Sequence, residues 1–237
     1  MLSGQLVAGG RTARWWFTNR QGGVSEAPFD SLNLAAHVGD DLDAVRRNRE
    51  LLESTINTGP LSWMGPVHGV DLEDLEEPTA LTPNVDALAT TRTGLPLVTL
   101  GADCVPLLMV AGEVAIAAHI GWRGFVDGMM DTVCDAVQRH GADISEAQVL
   151  LGPAICGACY GVPDERAAAI GAIAPTALVD ARAGGIGADI RQGLVAGLSA
   201  RGADVRCVGP CTFEDPLYFS HRRDGVTGRQ GGVIVWQ

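Results

Sequence analysis

The chain has 237 residues, 46% hydrophobic and 19% charged, enough to bury a substantial core without disulfide or metal staples. Its formal net charge of −11, with acidic clusters in "GDDLDA" and "DLEDLEE" and no basic block, argues against nucleic acid or an anionic membrane as partner. No apolar stretch approaches a membrane span and "MLSGQLVAGGRTARWW" lacks a signal-peptide pattern, so a soluble, cytoplasmic protein is expected.

Along the chain, the first apolar run predicts a strand at about residues 14–19. "DDLDAVRRNRELLES" follows, with Asp at its start and Leu42, Val45 and Leu52 at helical intervals, the pattern of an N-capped amphipathic helix. "EEPTALTPN" at 76–84 reads as a Pro-punctuated loop. Three strands are then expected at 95–100, 105–110 and 114–119. A helix over "FVDGMMDTVCDAVQRHG" would carry Phe125, Met129, Val133 and Val137 on one stripe and stop at Gly141. A strand at 148–152, helices over "DERAAAIGAI" and "DIRQGLVAGLSARG", and strands at 205–208 and 233–236 complete the pattern. Strands and helices mix without strict alternation, and no repeat or long linker divides them. The expectation is one α/β (α+β) domain over 1–237, with a mixed sheet flanked by helices.

Chemistry-bearing residues interrupt these apolar elements. Cys104 follows "LVTLGAD" and precedes Pro106, where a strand should leave the core; His119 ends "VAIAAH" before a Gly. Neighbouring strands could bring the two together. His68, between Pro66 and Gly69 after one further residue, also belongs to a turn. Two imidazoles and a thiolate suit zinc and leave a fourth position open, as in catalytic sites. The same residues read separately are a buried filler thiol and two turn histidines.

The remaining thiols are Cys134, Cys156, Cys159, Cys207 and Cys211, for which disulfides are not expected in a reducing compartment. "CGAC" at 156–159 has the spacing of a redox pair or of half a structural zinc site, but "CVGPC" at 207–211 has a wider gap and does not supply a regular second half. Structural packing is its simpler reading. The basic residues are arginines, and several lie beside Gly in "TNRQGG", "GWRG" and "SHRRDGVTGRQGG", where a planar guanidinium could clamp a small anion.

Taken in order, "TNRQGGVSEAPFDSLNLAAHVGDD", "VHG", "GADCVPLL", "AAHIGWRG", "LGPAICGACY" and "CTFEDPLYFSHRRDGVTGRQGG" run from residue 18 to 232. Together they resemble the laccase-domain family, also called the multicopper polyphenol oxidase or purine nucleoside phosphorylase family. The resemblance implies a zinc ion, with copper the lesser alternative, on His68, Cys104 and His119. It implies phosphorolysis of adenosine, inosine, guanosine and methylthioadenosine, and deamination of adenosine, with a small-molecule nucleoside and phosphate as partners. Editing of peptidoglycan precursors and copper oxidase chemistry also attach to the family. Within that reading Cys104, Asp103 and Arg123 are the expected catalytic residues, Asp103 as proton carrier, and Arg20, Asn33 and Arg123 the expected substrate and phosphate ligands; Arg222 and Arg223 are further candidates. The chain departs from the family pattern at Pro66, where Gln is usual, at Ile120, where Ala is usual, and at Gly161, where Glu is usual. These departures touch the pocket's shape and polarity and leave the metal ligands intact.

Overall fold

The computed structural model describes residues 1–237, built from fourteen strands and six α-helices. The first mixed sheet contains β1 (Leu2–Ala8), β2 (Arg11–Phe17), β3 (Ser62–Gly65), β5 (Thr82–Pro83), β7 (Leu97–Gly101) and β14 (Gln230–Trp236). Their spatial order is β1-β2-β14-β7-β3-β5. The second contains β4 (Leu72–Asp74), β6 (Ala87–Thr90), β8 (Val105–Ala111), β9 (Val114–Ile120), β10 (Gln148–Leu151) and β13 (Asp204–Cys207), in the order β13-β10-β8-β9-β6-β4. A two-stranded ribbon pairs β11 (Leu178–Asp180) with β12 (Ile186–Ala188). The helices are α1 (Leu42–Ile56), α2 (Trp122–Asp127), α3 (Met129–Arg139), α4 (Asp164–Ile173), α5 (Ile190–Ser199) and α6 (His221–Asp224). None is long and apolar enough to cross a membrane.

Strand β8 is buried along its whole length, which requires cover on both faces of its sheet. Its alternate side chains go to different cores. Leu107 and Met109 pack with Phe125, Val133, Ile170 and Leu194 of the helices α2 to α5. Leu108 and Val110 turn the other way and pack with Trp15, Phe17, Leu97 and Trp236 of the first sheet. The outer face of that first sheet, through Trp16, Val98, Val233 and Val235, is covered by Leu52 and Ile56 of α1. The order is therefore α1, first sheet, second sheet, helices α2 to α5: a layered α/β fold with mixed sheets, as the sequence pattern implies. Ala115 and Ala117 of β9 share the inter-sheet core with the large aromatics, and their small size makes room for those rings.

Two expectations need correction. The helix expected over 125–141 is two helices, because Gly128 between them adopts φ 108, a left-handed conformation that ends α2 and caps α3. The stripe of Phe125, Met129, Val133 and Val137 is buried nonetheless. The 76–84 loop contains the two-residue strand β5, paired in parallel with β3. Elsewhere boundaries agree to within three residues, with no shift at either end of α4, and Asp41 caps α1 by accepting from the N–H groups of Asp43 and Ala44.

Candidate metal centre and its cavity

The β8–β9 hairpin fixes the first two candidate ligands. Its register sets Pro106 opposite His119, so Cys104, just before β8, lies at the same end of the ladder. The turn that delivers Cys104 bends through Asp103 at φ 89, and the turn after β3 bends through His68 at φ 63. Two non-glycine residues in the left-handed region at one site are conformations that only the surrounding structure maintains. The ligand atoms of His68, Cys104 and His119 all lie within 4.8 Å of one another, with Cys104 Sγ 3.8 Å from His68 Nε2. A tetrahedral ion with bonds of about 2.0–2.3 Å holds its ligand atoms roughly 3.5 Å apart, so the triad needs only a small contraction to grip zinc.

Asp86, at the entrance to β6, organises both imidazoles. It is fully buried, and its Oδ1 accepts from the His68 backbone N–H at 3.0 Å while lying 2.8 Å from His119 Nδ1. Its Oδ2 accepts from Gly69 N–H at 2.7 Å and Val67 N–H at 3.1 Å. One carboxylate thus shapes the His68 turn and orients the His119 ring, leaving Nε2 of His119 for a metal. Burial opposes charge on Asp86, but the His119 contact and the backbone donors outweigh it and hold the carboxyl below its usual range. Burial likewise opposes a charged Cys104, yet His119 and His68 beside it bring the thiol down to about 6. His119 is raised to about 9 by Cys104 and Asp86 against the same burial. Sequence reasoning missed Asp86, whose only signal is an acidic residue entering an apolar strand.

The triad faces a cavity of about 470 Å³, within the usual range for a small-molecule site. Leu100, Val105, Ile120, Trp122, Ile155 and Ile190 give it apolar walls. Besides the triad, its polar groups are His37, Asp103, Tyr160, Arg166, His221, Arg222 and Arg229. Arg166 lies over the Trp122 ring at 4.3 Å and Arg222 over Tyr160 at 4.6 Å. None of the three cavity arginines forms an ion pair, and Arg166 Nε is buried without a partner. Partial burial and the Arg229 charge keep His37, at the rim, below the usual histidine value.

Several expected site residues lie elsewhere. Arg20 pairs with Asp30 at 3.2 Å and reaches Asp224 at 3.8 Å, while its guanidinium covers Phe219. Asn33 is fully buried with its amide saturated by Ala35, Asp40 and the backbone N–H of Arg229, so it supports the arginine's loop from behind. Arg123 is exposed beside Trp122 and does not line the cavity. Arg223 binds backbone carbonyls of residues 212–218 and the carboxylate of Asp224. Asp103 does line the cavity, but its Oδ1 accepts from Thr212 Oγ1 at 2.7 Å and its Oδ2 from the Arg222 N–H at 2.6 Å. Of the sequence candidates, the structure assembles the metal triad, Asp103 and Arg222 in one cavity. Arg229 comes from the "SHRRDGVTGRQGG" turn, one of the glycine-flanked arginine segments, and Arg166 is an addition that no local motif announced.

The "CGAC" turn lies just behind this wall. Burial and the neighbouring thiol push Cys159 up to about 12, and burial also raises Cys156, the reverse of what a redox nucleophile requires.

Residues 14–237 match the family described as multi-copper polyphenol oxidoreductase laccase. The chain belongs to this family. A relative from Streptomyces coelicolor, named purine nucleoside phosphorylase, is 41% identical over 229 residues, spanning 94% of this chain and 95% of that protein. The crystal structure of YlmD from Geobacillus stearothermophilus aligns with a TM-score of 0.88 and 31% identity, over 94% of this chain and 91% of that one. A Neisseria meningitidis protein aligns with the same TM-score and 30% identity, over 99% and 98%. The layered fold and the triad-bearing segments therefore sit within a laccase-family chain whose relatives include purine nucleoside enzymes by name.

Proposed function

We propose that this laccase-family chain is a zinc-dependent purine nucleoside enzyme that cleaves adenosine, inosine, guanosine and methylthioadenosine with phosphate, and deaminates adenosine at the same site. One observation carries the reading: a His/Cys/His triad and three unpaired arginines face the same cavity. His68, Cys104 and His119 would hold the metal, and the donor set, the Asp86 support and the room left by Gly121 all fit it. When bound, zinc supplies Lewis-acid polarisation at an open fourth position.

The chain's own groups do the rest. Arg166, Arg222 and Arg229 bind phosphate and hold one oxygen toward the ribose anomeric carbon. The oxygen–carbon bond forms as the bond to the purine breaks, the electron pair leaves with the base, and the base takes up from solvent the proton that the attacking hydrogen phosphate gives up, leaving ribose 1-phosphate and free purine. Gly161 leaves Arg222 with a backbone carbonyl as its side-chain hydrogen-bond partner and no carboxylate, which keeps its charge for the substrate. Tyr160, raised by burial above its ordinary value, keeps its proton and offers a neutral hydroxyl at the wall. Asp103 is a positioning group in this reading, because both its oxygens are engaged. The walls formed by Leu100, Ile120 and Trp122 accept the flat base.

A second reading, a hydrolase editing peptidoglycan precursors through Cys104, is favoured by the lowered thiol beside a His119–Asp86 pair, a nucleophile–base–orienter arrangement. Copper oxidase chemistry is not favoured, since only two imidazoles converge on the triad and multicopper centres use more. The test is chromatography of nucleoside products with and without phosphate, using protein stripped of metal and reloaded with zinc. Phosphate-dependent ribose 1-phosphate from the zinc form only is the expected result, with Arg222→Ala raising the KM for phosphate by about tenfold or more. Hydrolysis of an amide-linked precursor by the stripped form, without nucleoside turnover, would move the assignment to the thiol hydrolase.

A further inference from the structure

Three thiols separated in sequence meet behind the cavity wall. Cys156 and Cys159 bracket a 3-10 turn over Gly157–Cys159, and Cys211 joins them from the segment after β13, through a parallel bridge between Ala154 and Cys211. The three sulfurs and a carboxylate oxygen of Glu214 all lie within 4.8 Å of one another. The Cys156 backbone N–H donates to Cys211 Sγ at 3.3 Å. The turn is also tightly held, with Gly157 N–H donating to Asp189 Oδ2 at 3.1 Å and Cys159 and Tyr160 N–H donating to Cys156 O.

The geometry points to a second metal site, separate from the His/Cys/His triad, in which Cys156, Cys159, Cys211 and Glu214 bind a thiophilic divalent cation of the zinc class. A Cys-x-x-Cys turn with a third thiolate and one further ligand from a distant segment is the donor arrangement of closed, four-coordinate structural sites. Soft sulfur donors favour zinc over magnesium or calcium. Three thiolates and a carboxylate leave the filled site net negative, and Arg182, bonded to Glu214, supplies an adjacent positive charge. Metal entry expels the thiol protons to solvent, so no oxidant or reductant is involved.

The site would tie together two segments that shape the cavity. Ile155 and Tyr160, flanking the Cys-x-x-Cys turn, are wall residues. Thr212, next to Cys211, donates to Asp103, which adjoins Cys104. Filling the thiol site therefore fixes the wall and the Cys104 turn relative to each other, a positioning role independent of which reaction the cavity performs.

The full-length Cys104→Ala protein, purified reduced and tag-free, tests this without the first site's thiolate. Zinc titrated against a chromophoric chelator should find about one tight equivalent per chain, and cobalt in its place should give thiolate-to-cobalt charge transfer in the ultraviolet. Adding Cys156→Ser and Cys159→Ser should abolish both signals. Should that triple variant fail to fold, wild type decides: charge transfer growing over about two equivalents supports the site, whereas saturation at about one, with the intensity of a single thiolate, overturns it. A Cys104→Ala protein without tight zinc, cobalt binding without charge transfer, or a mass deficit of two hydrogens marking a disulfide among these cysteines would each also overturn it. Absence of nucleoside turnover in zinc-loaded wild type, with the thiol-dependent metal still bound in Cys104→Ala, would sink only the proposed reaction.

Discussion

At the scale of single residues, Asp86 governs the candidate centre. A carboxylate with no solvent exposure that collects three backbone N–H groups and the His119 ring has no spare acceptor capacity, so its position is dictated by the histidines it serves. Asp86→Asn keeps the shape but loses the charge that favours the correct His119 tautomer. Zinc affinity should fall about 10–100-fold, measured by chelator competition, and a change within threefold would refute the orienting role. The same contacts set a pH dependence. In the metal-free protein at pH 7, Cys104, at about 6, is largely thiolate, and His119, at about 9, is largely protonated. Zinc binding must then release the His119 proton, so affinity should rise about tenfold per pH unit from 7 to 9 and level off above. Below pH 6 Cys104 also holds a proton and the slope should steepen. Calorimetry of the Cys156→Ser/Cys159→Ser protein, in which only the triad can bind, should register roughly one proton released at neutral pH in buffers of different ionisation enthalpy; release of none would contradict the thiolate–imidazolium pair.

Elements convert these residues into a site. The junction of β9 and α2 passes through Gly121, where a Cβ would stand 2.8 Å from His68 Cδ2 and 3.1 Å from Cys104 Sγ. Its φ of −84 is open to any residue, so Gly121→Ala tests space alone. It should lower zinc affinity at least about tenfold with the fold retained, as judged by chelator competition and circular dichroism. Leu108→Ala makes the opposite test: it opens the inter-sheet core and should cost about 2–5 kcal/mol in denaturant unfolding while leaving the triad's chemistry in place. How much of this was legible beforehand follows from the range of the interactions. The β8–β9 hairpin carries its own evidence in continuous apolar runs, so Cys104 and His119 could be placed together from sequence. His68 arrives by a parallel β3–β7 contact, and only its turn residues and the family resemblance pointed to it. Arg166, Arg229, Asp86 and the meeting of Cys211 with Cys156 depend on contacts between distant segments, which periodicity does not encode. The split at Gly128 was visible as a glycine, but its positive φ was not. Arg20 and Arg123 looked available because glycine-rich turns expose side chains; in the structure one is spent on carboxylates and the other faces solvent.

For the molecule as a whole, the layers explain why a metal should matter to stability. His68 follows β3 of the first sheet, Cys104 lies in the turn from β7 of that sheet into β8 of the second, and His119 is in β9 of the second, so an ion at the triad cross-links segments of the two sheets. In the unfolded chain these ligands lie 36 and 15 residues apart in sequence order and form no preorganised site. Metal bound to the native state alone stabilises it by mass action, about 4 kcal/mol when free zinc exceeds its dissociation constant roughly a thousandfold. For a chain of this size each kcal/mol moves Tm by about 2–4 °C, so stripping zinc should lower Tm by roughly 8–16 °C. Scanning calorimetry of stripped, reloaded and Cys104→Ala protein separates the contributions. If the triad is the cross-link, Cys104→Ala should lose most of the zinc-dependent gain that wild type recovers; a gain that survives intact in Cys104→Ala but disappears in Cys156→Ser/Cys159→Ser would place the stabilising metal on the thiol cluster. Equal Tm values for stripped and reloaded wild type would mean that neither site links the layers energetically, and that the two sheets are held by the Trp15, Phe17, Leu108 and Trp236 core alone.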